Sequence, residues 1–176
     1  MTGRLETCKD LLKKNKISSF LVGDFYNVGY LSGFWPLTPK EREVFLLLTS
    51  REFFLLTDGR YINQAKALKT GFNCLEVFAE QNFFQTIGSL CQKLKIKKLA
   101  FEKSNLTVAE YEKLKKSTRP AKLSPTQNLI EEKRSIKDHQ ELTFIKNACQ
   151  IADQTFNHIL GFLKSGLCDL RKRGRR

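Results

Sequence analysis

The chain has 176 residues, of which 41% are hydrophobic, so it is long enough for one well-buried domain and an appendage but short for two domains. This composition argues against a disordered chain, and no stretch is long and apolar enough to span a bilayer. The formal net charge of +13 raises nucleic acid as a partner. However, the lysines are interspersed with glutamates on predicted solvent faces, so we rank nucleic-acid binding lowest.

The order of apolar runs and turn residues predicts an alternation of strands and helices. Apolar residues at helical spacing predict helices, and short continuous apolar runs predict strands buried on both faces. On these criteria, helices are expected over residues 5–15, 62–68 and 83–94, and strands over 18–22, 44–49, 52–56, 74–78 and 98–102. Because only Ser50 and Arg51 separate two of these strands, they must form an antiparallel hairpin.

Two further signals complete the predicted domain. Thr107 and Glu110 form a capping box that opens a helix, and Leu123 is expected in a last strand, before a polar link over residues 124–128. A hairpin followed by alternating strands and helices predicts an α/β domain, with a mixed β-sheet flanked by helices.

A long C-terminal amphipathic helix is also predicted. Asp138 and Glu141 form a second capping box at its start. An apolar stripe then recurs in steps of three and four residues, formed by Leu142, Ile145, Cys149, Ala152, Phe156, Ile159 and Leu163. Because such a stripe is normally buried against another surface, we expect Cys149 to be a core residue rather than a nucleophile.

The junction that follows residues 53–56 combines an apolar run with a group of polar residues. Asp58 is a candidate N-cap for the following helix, and Gly59 permits a tight exit from the strand. Arg60 and Tyr61 follow as large side chains with polar ends. We predict a structural contact between Asp58 and Arg60 rather than a catalytic aspartate, since no metal ligand, nucleophile or second carboxylate stands beside it.

Three strings in this order resemble motifs of the creatinase/prolidase N-terminal domain, the front half of Xaa-Pro aminopeptidases and prolidases. They are Asn27 to Phe34 with Tyr30 and Gly33, Leu56 to Tyr61, and Arg134 to Lys137 followed by Glu141. The resemblance therefore implies that the structural motif residues are Asn27, Tyr30, Gly33, Asp58, Arg60, Tyr61, Arg134, Lys137 and Glu141.

The resemblance also implies a division of the chain. Residues 1–126 would be the creatinase/prolidase N-terminal domain, and residues 127–167 a linker and the first helix of a truncated peptidase domain. The chain would be a non-catalytic part of a metallopeptidase that hydrolyses bonds to proline. The resembling enzymes hold two divalent metal ions, such as manganese, in a C-terminal domain that this chain lacks, and their catalytic sheet would cover the apolar stripe.

No catalytic or metal-binding residue is predicted on the chain itself. The only histidines are His139 and His158, both expected to face solvent on the last helix, and no carboxylate cluster surrounds them. The five cysteines are scattered and form no Cys-x-x-Cys pair, which argues against structural zinc and favours reduced thiols in a cytoplasmic protein. We therefore expect no cofactor on this chain.

The expected partners are a second copy of the chain or a peptidase catalytic domain, and no membrane. The loop with Phe34 and Trp35 is a possible contact surface, because exposed aromatic residues beside proline often contact partners. We expect Phe34 to pack beneath the sheet and leave both possibilities open for Trp35. In the alternative, the chain is a stand-alone interaction module whose last helix binds a separately encoded catalytic half.

The basic tail over residues 168–176 differs from the charged and apolar mixture with which the family continues. Five of its last six residues are arginine or lysine. If suitable codons encode them, a reading frame shifted by one nucleotide gives Glu-Lys-Glu-Val-Glu, which is closer to the family pattern. We therefore expect a frameshift near Leu170 and an out-of-frame tail, which sequencing the locus would test.

Overall fold

The computed structural model describes residues 2–39, 41–78 and 81–163. The chain divides into one unit over residues 1–134 and a second over residues 135–176. The domain boundaries predicted at residues 126 and 167 stay predictions, and the basic tail over 168–176, with Cys168, lies outside the described residues.

Among the described residues of the first unit, six strands form one mixed sheet. They are β1 (Ser19–Val22), β2 (Val44–Thr49), β3 (Phe53–Asp58), β4 (Asn73–Val77), β5 (Lys98–Glu102) and β6 (Lys122–Thr126), in the spatial order β4-β3-β2-β1-β5-β6. Strand β2 is antiparallel to β1 and β3, and the other neighbouring pairs are parallel. The predicted mixed sheet and its hairpin are therefore confirmed.

Helices cover both faces of this sheet. They are α1 (Thr2–Lys14), α2 (Phe25–Ser32), α3 (Ile62–Ala67), α4 (Phe83–Lys93), α5 (Val108–Ser117) and α6 (Leu129–Ser135). Because strand side chains alternate between faces, Phe20 packs in one core with α1, α2 and α3, whereas Leu21 packs in the other with α4 and α5. The predicted capping box of α5 is present, since Thr107 accepts from the Glu110 backbone N–H and Glu110 from that of Thr107.

The structure departs from the sequence-based prediction near residues 124–135. Residues 124–126 belong to β6 rather than to a link. Pro125 is tolerated there because β6 is an edge strand, where a missing N–H breaks no ladder bond. The short helix α6 was not predicted, and Ile130 is its one fully buried residue.

The second unit contains the helix α7 (His139–Phe162). Its predicted capping box is present, with Asp138 accepting from the Glu141 backbone at 2.8 Å and Glu141 accepting from the Asp138 backbone at 2.9 Å. None of its residues is buried, so the stripe and Cys149 on it are exposed on this chain, and the expected burial of Cys149 beneath a catalytic sheet stays a prediction. The expected exposure of His139 and His158 is confirmed. None of the described helices is long and apolar enough to cross a membrane.

Candidate functional site

The motif residues of the first unit gather at one edge of the sheet. Strands β1, β3 and β5 run in the same direction, so their carboxyl ends meet there, and the antiparallel strand β2 begins there. We call this the carboxyl edge. In open α/β sheets the carboxyl ends of parallel strands are the usual location of functional sites.

The side chain of Asn27 is the centre of a polar network that we call the Asn27 network, formed by Asn27, Glu102, Glu131 and Arg134. Its amide nitrogen donates to Glu102 Oε1 at 2.6 Å and to Glu131 Oε1 at 2.7 Å. Its amide oxygen accepts from Arg134 Nη1 at 2.9 Å. Asn27 is fully buried, and every polar atom of its side chain is paired. The network therefore joins α2 to β5 and α6, through partners that follow Asn27 by 75 residues or more in sequence.

Glu102 also holds the exit from β1. Its Oε2 accepts from the backbone N–H groups of Gly23 and Asp24, at 2.8 and 2.9 Å. Burial raises the pKa of the Glu102 carboxyl, while the donors from Asp24, Gly23 and Asn27 act in the opposite direction, and the net pKa lies above its usual value. Asp24 then caps α2 by accepting from the Asn27 backbone at 3.0 Å, and Gly33 ends α2 with a left-handed φ of 74°.

A second cluster surrounds Arg60, at the end of β3. The predicted contact is present: Arg60 Nη2 lies 2.7 Å from Asp58 Oδ2, and this hydrogen bond lowers the pKa of Asp58 despite partial burial. The prediction that Asp58 caps α3 is wrong. Asp58 ends β3 and accepts from the Arg60 backbone at 2.9 Å, whereas the residue before α3 is Tyr61, which makes no side-chain cap.

The polar end of Tyr61 is used within the same cluster. Its hydroxyl donates to Oε1 of the buried Glu43 at 2.8 Å, and Arg60 Nη2 lies 3.3 Å from the same oxygen. Burial and the bond to Glu43 raise the pKa of Tyr61. Its ring meanwhile packs edge-on against Phe34, with ring centroids 6.1 Å apart. Tyr61 thus joins a polar group at the carboxyl edge to the apolar core.

Arg42, just before β2, organises a third cluster. Its guanidinium makes two bonds to Glu110, of 3.0 and 3.1 Å, and donates to the backbone oxygens of Gly23 and Asn105. Burial raises the pKa of Glu110, but the bonds from Arg42 and Thr107 outweigh it, and the net pKa is below its usual value. A cleft of about 360 Å³ borders this cluster, lined in part by Pro36.

Apolar side chains at the start of α2 and in the loop after it form a group that we call the aromatic patch: the partly buried Phe25 and the exposed Tyr26, Trp35 and Leu37. The ring of Phe25 contacts both Tyr26 and Trp35, with centroids 5.2 and 5.6 Å away. Trp35 is 48% exposed and Leu37 is 86% exposed. The expected burial of Phe34 is confirmed, because its side chain is inaccessible to solvent.

The structure places the nine predicted motif residues in different surroundings. Asn27 and Arg134 meet in one network, and Asp58, Arg60 and Tyr61 in another. Gly33 ends α2, and Tyr30 is partly buried on that helix. In the second unit, Lys137 Nζ donates to the Ser135 carbonyl at 3.1 Å, and Glu141 completes the cap of α7.

Sequence reasoning missed the partners of these motif residues, Glu43, Glu102 and Glu131, and also the separate cluster around Arg42. Glu43 and Glu102 each stand at the end of a strongly apolar strand, and both are buried. A single charged residue at such a position is a usable signal, because a buried charge requires a partner.

The described side chains do not provide the donor set that two divalent metal ions require. Within residues 2–39, 41–78 and 81–163, no three His, Cys, Asp or Glu side chains are grouped so that they could hold a metal ion. The carboxylates of the carboxyl edge are instead bonded to Asn27, Arg42, Arg60 and backbone N–H groups.

The first unit is an α/β domain, because its mixed sheet has helices on both faces. Three polar clusters lie at the carboxyl edge of this sheet, and motif residues bond to one another there. Residues 4–136 match the model of the creatinase/prolidase N-terminal domain. The chain therefore belongs to this family.

Several relatives are known proteins with peptidase names. The chain is 29% identical over 167 residues to the uncharacterized peptidase YqhT of Bacillus subtilis, a match that covers 95% of this chain and 45% of YqhT. The chain thus spans about half the length of this relative. The solved Xaa-Pro dipeptidase from Bacillus anthracis is 26% identical, with a TM-score of 0.80, over 97% of this chain and 46% of that one.

A third match covers nearly the whole of a solved chain. The structure of aminopeptidase P, an Xaa-Pro aminopeptidase from Streptococcus thermophilus, is 26% identical with a TM-score of 0.66. The match covers 76% of this chain and 97% of that chain. The fold of the first unit therefore occurs in a solved chain of comparable extent.

Proposed function

We propose that this chain acts as the non-catalytic N-terminal domain of an Xaa-Pro peptidase-like protein. The observation that carries the proposal is the Asn27 network. Its side chains bond to one another and to the backbone, and they join α2 to β5 and to α6, the last element of the match to the family. Such a network stabilises a scaffold. Two divalent metal ions, such as manganese, and cleavage of bonds to proline would belong to the catalytic part of the protein.

The first test is an activity assay on the purified chain with Xaa-Pro peptides and manganese. We expect no cleavage, whereas the full-length Bacillus anthracis Xaa-Pro dipeptidase serves as the positive control. Cleavage that persists through purification to homogeneity and is abolished by a chelator would contradict the proposal.

The aromatic patch is the surface that we propose for subunit pairing and for the rim of a substrate entrance. Its exposed side chains Trp35 and Leu37 follow a buried anchor, Phe34, so the loop is held at its base. Aromatic residues with exposed apolar neighbours are enriched in protein interfaces. The proposed partner is a second copy of the chain.

Analytical ultracentrifugation of the double variant Trp35→Ala, Leu37→Ser tests this surface. We expect at least a tenfold weaker self-association than in the wild type, because the removed side chains are two of the three exposed side chains of the patch. The variant Val108→Ser removes an equally exposed apolar residue from the start of α5 and should not change the association. An unchanged dissociation constant in the double variant would exclude the patch as the interface.

The second candidate function is an interaction module that binds a separate catalytic half. The observation that favours it is the exposed stripe of α7, where Leu142 is 46% and Phe156 is 63% exposed. Exposed apolar stripes of this kind mark interaction sites. We therefore expect self-association or poor solubility of the isolated chain, reduced in the variant Leu142→Ser, Phe156→Ser.

A mixing experiment separates the two candidates. The chain is added to the C-terminal half of YqhT, and Xaa-Pro cleavage is measured with the stripe variant as the control. Cleavage that requires both parts and an intact stripe favours the interaction module. A lack of complementation, together with dimerisation through the aromatic patch, favours the domain of a longer peptidase.

We also propose that the protein acts in the cytoplasm. Cys8 and Cys91 are buried, and Cys74 and Cys149 are separate free thiols, as expected for a reducing compartment. Localisation of a tagged chain by cell fractionation tests this proposal.

A further inference from the structure

The end of the sheet opposite the carboxyl edge contains a cavity that the proposed function does not use. It lies where β5 and β6 begin and where α4 and α5 end, and we call this end the amino edge. The cavity measures about 600 Å³, and its lining is mostly apolar, with Ile96, Pro120 and the buried Cys91 among its residues. Small-molecule sites in proteins have this size and this kind of lining, with a few polar groups that orient the ligand.

The polar groups at this cavity are all cationic or neutral. Lys95, Lys97 and Lys122 line it together with Gln92 and Thr118. The three lysines are exposed, and none of them forms an ion pair with another described residue. The backbones of Lys97 and Lys122 are adjacent, because the Lys122 backbone N–H donates to the Lys97 carbonyl at 2.9 Å.

The charge of the surrounding chain is strongly asymmetric. Residues 91–98 and 113–122 contain nine lysines and arginines and no carboxylate. These two short segments therefore carry a large part of the positive charge of a chain whose formal net charge is +13. Lys93, Lys115 and Lys116 lie in the last turns of helices, where they complement the helix dipole. The lysines of the cavity lie outside those helices, so the dipole does not account for them.

We propose that this cavity binds an amphipathic carboxylate, with an apolar body against Ile96 and Pro120 and an anionic head at the lysines that line the cavity, Lys95, Lys97 and Lys122. The apolar lining requires an apolar ligand, and the absence of carboxylates from the two flanking segments favours an anion. A small ligand suits the site better than a nucleic acid, because none of the described residues that line the cavity has an aromatic ring to stack on a base.

Decanoate is the probe for this site, and decanol, of the same chain length, is the uncharged control. Titration of the ¹⁵N-labelled full chain followed by NMR should show saturable shifts of the amides of residues 91–97 and 118–122 with decanoate. Decanol should bind at least tenfold more weakly, because it cannot use the lysines.

The variant Lys97→Gln, Lys122→Gln should bind decanoate about tenfold more weakly, since two charge contacts of ordinary surface strength are lost. The variant Lys13→Gln, Lys14→Gln makes the same change of net charge on α1, away from the cavity, and should bind as the wild type does. All four positions are exposed, so both variants are expected to fold.

Three results would overturn the proposal: no saturable shift at the cavity, equal binding by both double variants, or decanoate shifts confined to the stripe of α7. Salt-dependent binding of duplex or single-stranded nucleic acid that displaces decanoate from the cavity would assign the amino edge to a different ligand.

Discussion

The two edges of the sheet carry charge in opposite ways. At the carboxyl edge, Glu43 and Glu102 are buried and bonded to side chains and backbone groups from distant parts of the chain. At the amino edge, Lys95, Lys97 and Lys122 are exposed and surround an apolar cavity. Charges that are buried and paired determine local structure, whereas exposed charges contribute little to stability and are free to attract a ligand. The carboxyl edge of the sheet is therefore held by internal bonds, whereas the amino edge is accessible to a ligand.

The largest expected effect is at the carboxyl edge. Replacing Asn27 by Ala removes the donor to Glu102 and Glu131 and the acceptor for Arg134, which leaves charged groups underpaired at a buried site. We expect a loss of about 3 kcal/mol or more in the free energy of unfolding, measured by circular dichroism in urea. Asn63→Ala, on the exposed surface of α3, should change it by less than about 0.5 kcal/mol. Equal losses in the two variants would show that the network does not hold this edge together.

A smaller effect is expected from the pH dependence of the pair between Arg42 and Glu110. Because the pKa of Glu110 is lowered in the folded chain, its contribution to stability is present above the reference value of 4.5 and is lost as the pH falls through the folded pKa. We expect Glu110→Gln to remove about 1 kcal/mol of this acid-dependent stability, whereas Glu112→Gln, exposed on the same helix, leaves it in place.

The comparison with Glu112→Gln is needed because the pKa of Glu102 is shifted in the opposite direction to the pKa of Glu110. The pKa of Glu102 is raised, so its contribution is fully present below 4.5 and declines as the pH rises through the folded pKa. Both variants are unfolded in urea at a series of acidic pH values. The difference between their free energies of unfolding then gives the contribution of Glu110. An identical pH dependence in both would show that the Arg42 pair does not contribute.

The smallest effect is expected at the amino edge. Lys95 follows α4 in a left-handed conformation, with a φ of 52°, which costs free energy for any residue with a Cβ. Lys95→Gly should therefore stabilise the chain by about 0.5–1 kcal/mol. Lys93→Gly, in the last turn of α4, should destabilise it by about 1 kcal/mol. A loss of stability in both variants would mean that the side chain of Lys95 contributes more than its backbone strain costs.

Much of the fold was predictable because its signals are local. The hairpin of β2 and β3 follows from two apolar runs with a short connection, and the caps of α5 and α7 follow from residues three positions apart. Helix α6 gave no such signal, because its seven residues contain few apolar positions. Strand β6 was missed in part, because Pro125 normally argues against a strand and only its place at the sheet edge makes it acceptable.

The site was less predictable, because its partners are distant in sequence. Asn27 and Arg134 were predicted as motif residues, but nothing local indicates that Glu102 and Glu131 bond to the same amide. The capping role predicted for Asp58 was wrong for a similar reason. A residue that ends a strand and a residue that begins a helix look alike in sequence when only a few positions separate the two elements.

The contact between Gly29 and Trp35 has a consequence for spectroscopy. A Cβ on Gly29 would overlap the indole ring, so Trp35 lies directly against α2, at the face formed by Phe25 and Gly29, which are one turn apart. Trp35 is the only tryptophan of the chain. Its fluorescence emission is therefore an intrinsic reporter of the packing of α2, and loosening of this region would shift the emission without any label being attached.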